Sequence, residues 1–282
     1  MDAIGVNLQA VRQRIANAAK ACGRNPAEIG LVAVSKTFGA DAVIAARTHG
    51  QYAFGESYAQ EGVAKIAAAP DPALQSRIAS ANHEYAPSTS DARGPSARVA
   101  SPSGTGPLLR PLEWHFIGPI QSNKTRMIAE HFDWVHSIDR LKIAQRLSAA
   151  RPAGLAPLQV CIQVNIGGEY SKSGVAAGEA LALARAVAGL PRLKLRGLMA
   201  IPPASPDYAQ QCRNFAQLRQ LKDGIVSAGV ALDTLSMGMS DDLEAAIAEG
   251  ATLVRVGTAI FGPRQKTLVT EDTAGSEKPV ES

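Results

Sequence analysis

The sequence has few cysteines, and its potential metal ligands are not clustered. Cys22, Cys161 and Cys212 are odd in number and far apart, and no CxxC pair occurs. Neither a disulfide framework nor a structural zinc site is therefore supported. The five histidines form neither an HExxH motif nor a cluster with cysteine, so we expect no metal site.

Long apolar segments and runs of basic residues are also missing. No apolar run approaches the roughly 20 residues needed to cross a bilayer, and the start, Met1-Asp2-Ala3-Ile4, lacks the pattern of a signal peptide. We therefore expect a cytoplasmic protein without a membrane partner. The net charge of +4 comes without a Lys/Arg run of five or a nucleic-acid-binding signature. This balance fits an anionic small ligand and predicts no nucleic acid partner.

The composition suits one large folded domain with two polar segments. Of the 282 residues, 46% are hydrophobic and 19% are charged, which allows a sizeable core. Residues 70–111 are rich in Pro, Ser, Ala and Gly and poor in large apolar side chains, which predicts a mobile insertion. The polar residues 265–282 predict a C-terminal tail. The expected domain covers residues 1–264 and is interrupted by the insertion.

Eight apolar stretches alternate with helical patterns along the chain. Strands are predicted at 29–35, 52–57, 112–118, 134–139, 158–166, 195–201, 234–240 and 252–259. Several are nearly continuous apolar runs, as in parallel sheets with both faces buried. Helices are predicted at 58–68, 121–131, 140–150, 176–189, 208–228 and 241–249, with an extra N-terminal helix at 2–21.

This count predicts an α/β protein built as a single (β/α)8 TIM barrel with an extra N-terminal helix. A doubly wound open sheet is the alternative, although no GxGxxG turn follows the first strand. In a TIM barrel the ligand site lies at the carboxyl ends of the strands, and phosphate often binds after strands seven and eight. Candidate site residues are therefore expected at these strand ends.

Polar and cationic side chains at three strand ends suit a phosphorylated carbonyl ligand. Lys36 follows the first strand, where a desolvated amine could attack an aldehyde. Ser240 ends strand seven and is an expected helix N-cap, whereas Gly257 and Thr258 end strand eight. Hydroxyl and free backbone N–H groups at such positions can hold a phosphate. Arg255 lies in an apolar strand and needs a partner there. Each residue alone also fits ordinary capping or a solvated strand end.

Several further side chains leave two interpretations open. His115 and His136 could face a ligand or be satisfied core histidines. Lys172, in a glycine-containing loop after the fifth strand, is a rival to Lys36 for forming a Schiff base. Glu56 and Asp139 are the plausible carboxylate bases if the barrel is instead an isomerase of phosphorylated metabolites.

Several long motifs, in order along the chain, resemble the pyridoxal phosphate (PLP) homeostasis protein family. The motifs are Ala33-Val34-Ser35-Lys36-Thr37, Phe54-Gly55-Glu56, Trp114 to Lys124, Ser171-Lys172-Ser173-Gly174, Gly197-Leu198-Met199, Ser236 to Asp241 and Arg255 to Gly262. The resemblance spans about residues 5–264, apart from the insertion.

The resemblance implies a fold-type III PLP-binding barrel, similar to the N-terminal domain of alanine racemase. It implies that Lys36 holds PLP as a Schiff base and that Ser240, Gly257 and Thr258 surround the phosphate. It also implies that Arg255 is the partner of the pyridine nitrogen.

Two more cofactor-binding candidates rest on the same resemblance. Met199 matches a family residue beside the PLP ring. Ser57 stands where the family usually has asparagine, so its side chain has a different reach.

The implied function is PLP homeostasis, in which the protein buffers or delivers this vitamin B6 cofactor without a dedicated reaction. An arginine at the ring nitrogen makes PLP a poorer electron sink, and we see no counterpart after residue 264 of the second domain that closes alanine racemase. We expect a monomer, with apo PLP-dependent enzymes as candidate recipients. The alternative is a Schiff-base or PLP-dependent enzyme, such as a weak amino-acid racemase or a lysine aldolase.

Overall fold

Eight parallel strands form a closed barrel in the computed structural model, which describes residues 3–69, 110–168 and 173–263. The strands follow one another around the barrel in chain order. They are β1 (Gly30–Val34), β2 (Ala53–Glu56), β3 (Glu113–Phe116), β4 (Trp134–Ile138), β5 (Leu158–Gln163), β6 (Leu193–Met199), β7 (Thr234–Ser236) and β8 (Leu253–Val256).

Pairing between the first and last strands closes the barrel. Gly30 lies opposite Leu253, and Ala33 lies opposite Val256. The strands carry few exposed side chains because one face packs on the helices and the other fills the barrel interior. The interior also holds buried polar side chains on four strands, which are His115, His136, Ser236 and Arg255.

Helices follow the strands and form the outer layer. They are α1 (Ala3–Ala21), α2 (Ala40–Thr48), α3 (Ala59–Ala68), α4 (Thr125–His131), α5 (Leu141–Ala150), α6 (Ala180–Ala188), α7 (Tyr208–Ser227), α8 (Leu243–Ala248) and α9 (Thr258–Phe261). Short 3₁₀ helices at Pro26–Glu28, Ser122–Lys124 and Ala177–Glu179 complete the described elements.

The extra N-terminal helix α1 packs across the outside of the barrel. Leu8, Val11 and Ile15 are buried and recur every three or four residues, which gives the helix one apolar face. This face contacts α2, α8 and α9. Asn7 donates a hydrogen bond to the carbonyl of Ile260, at 2.9 Å, and so joins α1 to the segment that follows β8.

The structure confirms the predicted TIM barrel and its extra N-terminal helix. Strands seven and eight are shorter than predicted, because the chain turns at Gly238, where φ is +93°, and enters α9 directly after Gly257. Helix α2 was not predicted, since its short alanine-rich sequence shows little contrast between two faces.

The predicted insertion and tail fall mainly in residues 70–109 and 264–282, which lie outside the described residues. The flanking residues are placed. Ala69 is the C-cap of α3 and Arg110 precedes β3, so both lie at the amino-terminal end of the barrel, away from the predicted site.

Two further expectations can be compared with the described residues. Among them, no helix combines the length and apolar character needed to span a bilayer. No group of three or more His, Cys, Asp or Glu side chains in the same ranges has an arrangement suited to a metal ion.

A glycine between two barrel strands provides a test of this packing. A Cβ atom on Gly197 of β6 would overlap the backbone carbonyl of Thr234 on β7. We expect Gly197→Ala to lower the free energy of unfolding by about 3 kcal/mol or more, because backbone cannot move aside as a side chain can. Urea unfolding measures this change. Gly224→Ala on α7 is the control, since its Cβ meets no atom within 4 Å. Equal stability of the two variants would contradict the close approach.

Candidate functional site

A cavity of about 190 Å³ opens at the carboxyl ends of the strands. Its lining residues are Val34, Lys36, Phe38, Ser57, Ile117, Ile201, Met239, Ser240, Asp241, Arg255, Gly257, Thr258 and Gly262. Six of the seven residues predicted from the sequence are in this set, although they are spread over more than 200 residues of chain. The structure therefore brings these six candidates together in one cavity.

A larger cavity of about 580 Å³ lies at the opposite end of the barrel. It is lined by residues at the amino ends of the strands, including Tyr52, Arg110, Glu113 and Arg196. None of the predicted site residues lines it. We place the site in the smaller cavity, because ligands of this fold bind at the carboxyl ends of the strands and because the candidate residues converge there.

The two segments after β7 and β8 supply hydroxyl and backbone groups to one side of the cavity. The Ser240 hydroxyl accepts a hydrogen bond from the backbone N–H of Ala259, at 3.4 Å, which ties the two segments together. A Cβ atom on Gly257 would lie 3.1 Å from the Val34 carbonyl oxygen, so glycine permits the close fit against β1. Thr258 is exposed at the start of α9. Such a group of donors suits an anion.

Ser240 is not the helix N-cap that its sequence position predicted. Helix α8 begins at Leu243, and its N-cap is Asp242. The Asp242 carboxylate instead accepts a hydrogen bond from the backbone N–H of Met239, at 2.6 Å, and so stabilises the turn. This turn leaves Ser240 at the cavity, where its hydroxyl contacts the segment after β8.

Arg255 places a positive charge at the inner end of the cavity. The residue is 4% exposed, and its guanidinium donates to the Ser236 hydroxyl at 2.7 Å and to the Ala200 carbonyl at 3.0 Å. Burial lowers the pKa of Arg255 to about 10, although the charges of Asp242 and Cys161 oppose this shift. The side chain is therefore cationic at neutral pH. A guanidinium has five N–H groups, which is more than the two hydrogen bonds that Arg255 donates to Ser236 and Ala200.

Lys36 lies at the end of β1 on the wall of the cavity and is partly buried. The next residue, Thr37, has φ of +70°, which is uncommon for a residue with a branched side chain. Its backbone N–H donates to the Glu61 carboxylate of α3 at 2.6 Å. This hydrogen bond holds the turn that directs the chain away after Lys36.

A buried ion-pair network lies directly behind this turn. The Lys65 ammonium donates to the Ser35 carbonyl at 2.6 Å, to Glu56 at 2.8 Å and to Glu61 at 2.7 Å. The Ser35 hydroxyl also donates to Glu56, at 2.6 Å. Burial raises the pKa of Glu56, although the hydrogen bonds from Lys65 and Ser35 oppose this shift. The network fixes both residues that flank Lys36, and the sequence analysis did not identify it.

Ser57 and Met199 have different positions relative to the cavity. Ser57 lines the cavity. Gly118 packs so closely on Ser57 that a Cβ atom on Gly118 would overlap the Ser57 backbone. Met199 is fully buried in the barrel interior, where it packs with Trp134 and Cys161, and it is not one of the lining residues. The predicted contact of Met199 with a ligand therefore stays a prediction.

The remaining candidates lie outside the cavity lining. His115 and His136 are fully buried and bond each other, as expected of satisfied core histidines. Glu56 is held by Lys65, and Asp139 forms an ion pair with Arg140 at 2.7 Å. Lys172, the rival to Lys36, lies outside the described residues.

Apolar side chains that the sequence analysis did not identify form the other walls. Phe38 packs on Phe261 of α9 with ring centroids 5.2 Å apart. Ile201 and Met239 are 42% and 38% exposed, which is high for large apolar side chains that follow buried strands. These exposed side chains offer apolar contacts to a planar ligand. Their position just after strand ends was the only sequence signal for them.

The network behind Lys36 predicts a pH-dependent loss of stability. We expect Lys65→Met to lower the free energy of unfolding by about 3 kcal/mol at pH 8, because it leaves the buried Glu56 carboxylate without its cation. Because the pKa of Glu56 is higher in the folded than in the unfolded protein, its protonated form stabilises the fold at pH values below the unfolded pKa. This stabilisation is lost as the pH rises through the pKa of the folded protein. The loss should therefore be smaller at pH 5, by about 1 kcal/mol or more.

Urea unfolding at the two pH values measures this difference. The double variant Lys65→Met/Glu56→Gln is the matched control, because it carries no ionisable group at position 56. An identical loss at pH 5 and pH 8 in the single variant would show that Glu56 does not depend on Lys65 for its charge.

Comparisons with known proteins agree with this architecture. The model of the family "Alanine racemase, N-terminal domain" matches residues 6–265. A pyridoxal phosphate homeostasis protein from Pseudomonas aeruginosa is 52% identical over 264 residues, which cover 94% of this chain and 97% of the relative. A protein of the same name from Escherichia coli K12 is 49% identical and covers 94% of this chain and 98% of its own length.

A solved structure with the same fold links this likeness to a bound ligand. PipY from Synechococcus elongatus, solved with PLP bound, has 31% sequence identity and a TM-score of 0.68. The match covers 92% of this chain and the whole of PipY. This chain therefore belongs to the alanine racemase N-terminal domain family and, within it, to the pyridoxal phosphate homeostasis proteins.

Proposed function

We propose that this protein binds PLP in the cavity at the carboxyl ends of the strands and serves PLP homeostasis. The observation that carries the proposal is the convergence of an amine, an anion-binding group of donors and a buried cation on one cavity. These are Lys36, the segments around Ser240 and Thr258, and Arg255. PLP has matching groups, which are an aldehyde, a phosphate and a pyridine nitrogen.

The donor set fits the phosphate on chemical grounds. Ser240 and Thr258 offer hydroxyl donors, and the turn at Gly257 leaves room for a ligand to approach the backbone. The cationic Arg255 adds a favourable field for an anion inside a site of low dielectric. Ser57 adds a hydroxyl on another wall, in the position where the family usually has asparagine.

Arg255 also selects how a ligand nitrogen is held. A guanidinium has only donors, so it bonds a ring nitrogen through the nitrogen lone pair and leaves that nitrogen without a proton. A cation in this position makes the ring a poorer acceptor of electrons. This preference supports binding rather than catalysis of amino-acid reactions.

The carboxylates of the site also support binding over turnover. Catalysis on PLP needs a base positioned at the reacting atoms. Glu56 is held by Lys65 behind the cavity, and Asp139 is paired with Arg140. Asp241 lines the cavity but is exposed beside Ser240, at the anion-binding side. The names of the relatives describe homeostasis and name no reaction.

When it is bound, PLP supplies an aldehyde that a lysine amine can hold reversibly as a Schiff base. The protein's part is to hold this lysine in position and to supply the phosphate donors. Ser35 and Thr37 are anchored on either side of Lys36, so the amine is presented by a rigid segment. Such a site can store a reactive aldehyde and release it later.

The proposal extends to a cytoplasmic monomer that delivers PLP to apo PLP-dependent enzymes. Its support is the composition and the exposed mouth of the cavity, where Ile201, Met239 and Thr258 reach solvent. Activation of an apo-enzyme by the PLP-loaded protein, faster than by an equal concentration of free PLP, is the expected result. Activation at the same rate as with free PLP would indicate that the protein stores PLP but does not deliver it directly to the enzyme.

The first test of the proposal concerns Lys36. The purified protein loaded with PLP should show a long-wavelength visible absorption band that borohydride removes, and Lys36→Ala should lack this band. Mass spectrometry of the reduced protein should find the added group on Lys36. Lys142→Ala, at an exposed lysine of α5, is the control and should behave as the wild type. Loss of the band in Lys172→Ala instead would assign the attachment to the rival lysine.

The second test concerns the phosphate donors. We expect Ser240→Ala and Thr258→Val each to weaken PLP binding about 10-fold, because each removes one hydrogen bond to a charged group. Binding of pyridoxal, which has no phosphate, should change little. Equilibrium titration of the ligand-free protein measures both affinities. Thr48→Val on α2 serves as an exposed control. Equal losses for the two ligands would place the phosphate elsewhere.

A further inference from the structure

A continuous line of hydrogen bonds crosses the barrel interior from Arg255 to the opposite end. Arg255 donates to the Ser236 hydroxyl at 2.7 Å, and that hydroxyl lies 2.7 Å from Nδ1 of His136. Nε2 of His136 lies 2.9 Å from Nδ1 of His115, and Nε2 of His115 lies 2.8 Å from the Glu113 carboxylate. We call these five residues the interior chain.

The interior chain joins the two cavities of the barrel. Arg255 lines the cavity at the carboxyl ends of the strands, whereas Glu113 lines the cavity at the amino ends. The three residues between them are fully buried, but the Glu113 side chain is 51% exposed. Only one end of the chain is therefore in extensive contact with solvent.

When both histidines are neutral, the two ends of the chain set the direction of every hydrogen bond. A guanidinium can only donate, so the Ser236 hydroxyl accepts from Arg255 and gives its own proton to His136 Nδ1. Neutral His136 then carries its proton on Nε2 and donates to His115 Nδ1. His115 in turn donates from Nε2 to the Glu113 carboxylate, which can only accept.

The surrounding charges favour this arrangement. Burial lowers the pKa of His136 well below its usual value, and the charges of His115 and Arg255 add to the effect. Burial alone would raise the pKa of Glu113, but hydrogen bonds from His115 and Trp134 and the charges of His115 and Arg110 lower it overall. His136 is therefore neutral, in the stretch of the chain between the Arg255 cation and the Glu113 carboxylate.

One additional proton on Glu113, on His115 or on His136 would keep every hydrogen bond of the chain. We place it on His115, because the lowered pKa values of His136 and of Glu113 disfavour the added proton at those two groups. His115 then carries protons on both ring nitrogens beside Glu113 and donates from Nδ1 to His136. The proton of His136 moves to Nδ1, and this N–H group donates to the Ser236 hydroxyl. The hydroxyl then accepts from both Arg255 and His136. Protonation of His115 therefore turns His136 from an acceptor into a donor at the Ser236 hydroxyl, which Arg255 also contacts.

We infer that Ser236, His136, His115 and Glu113 are positioning residues that hold Arg255 towards the ligand and couple it to the protonation of His115. This inference rests on the proposed function, because it assigns Arg255 to bound PLP. The ionisable groups that face the chain are Arg110 at Glu113, Asp242 and Cys161 at Arg255, and Arg196 near Cys161. Cys161 stays neutral at physiological pH, because burial raises its pKa to about 12.

The first experiment follows the visible spectrum of the PLP-loaded protein between about pH 5.5 and 8.5, where histidine changes its charge. The visible absorption of the wild type should change in one step with pH, which we call the spectral step. Ser236→Ala should still bind PLP and be reduced by borohydride, but it should lose the step, because the connection to Arg255 is cut. Ser236→Thr keeps a hydroxyl and should restore the step.

Glu113→Gln tests the exposed end in the same experiment. The neutral amide no longer stabilises a charged imidazolium, so the midpoint of the step should move to lower pH by about one unit. A Ser236→Ala step identical to that of the wild type, or the absence of a step in a wild type that binds PLP, would overturn the inference.

The second experiment uses the ligand-free protein, so its outcome does not depend on the proposed function. NMR of the histidine ring nitrogens should find His115 and His136 protonated on Nε2 at pH 8. On acidification the His136 proton should move to Nδ1. A proton on His136 Nδ1 at pH 8 would overturn the inference even if PLP binds, whereas absence of PLP binding with the expected protonation would overturn only the function.

Discussion

The pairing of β1 with β8 is the contact on which the site depends. It brings the residue after the first strand, Lys36, beside the segment after the last strand, which contains Gly257 and Thr258. The fit is close, because Gly257 packs directly on the Val34 backbone. An open sheet would leave these segments at opposite edges, so the cavity exists only because the barrel closes.

The charges of the site follow a common arrangement. Lys36 and Arg255 line the ligand cavity, and three buried or paired carboxylates near them are bound to other residues outside it. Glu56 and Glu61 lie behind the Lys36 turn and are balanced by Lys65. Glu113 lies at the far end of the interior chain that begins at Arg255. These three carboxylates therefore do not compete with an anionic ligand in the cavity, a condition that favours binding of a phosphate.

The fold and much of the site were predictable from local pattern. Nearly continuous apolar runs marked the strands, because parallel strands in a barrel are buried on both faces. Strand ends then identified Lys36, Ser240, Gly257 and Thr258, and an arginine inside an apolar strand identified Arg255. The two histidines could not be assigned from the sequence, since alternation along one strand does not say which side chains from other strands they meet. For the same reason the buried ion pair of Lys65 could not be predicted, because its position on a helix is typical of a solvated lysine.

The sequence by itself determined the type of barrel, the strand that carries each candidate residue and the family to which the chain belongs. Each of these depends on residue types and spacings within one segment or on motifs in a fixed order. Only the tertiary structure decided which side chains act together. Glu113, His115, His136, Ser236 and Arg255 come from four strands, and their hydrogen bonds require the strands to surround a shared interior. Distances across that interior are set by closure and packing, which no single segment encodes.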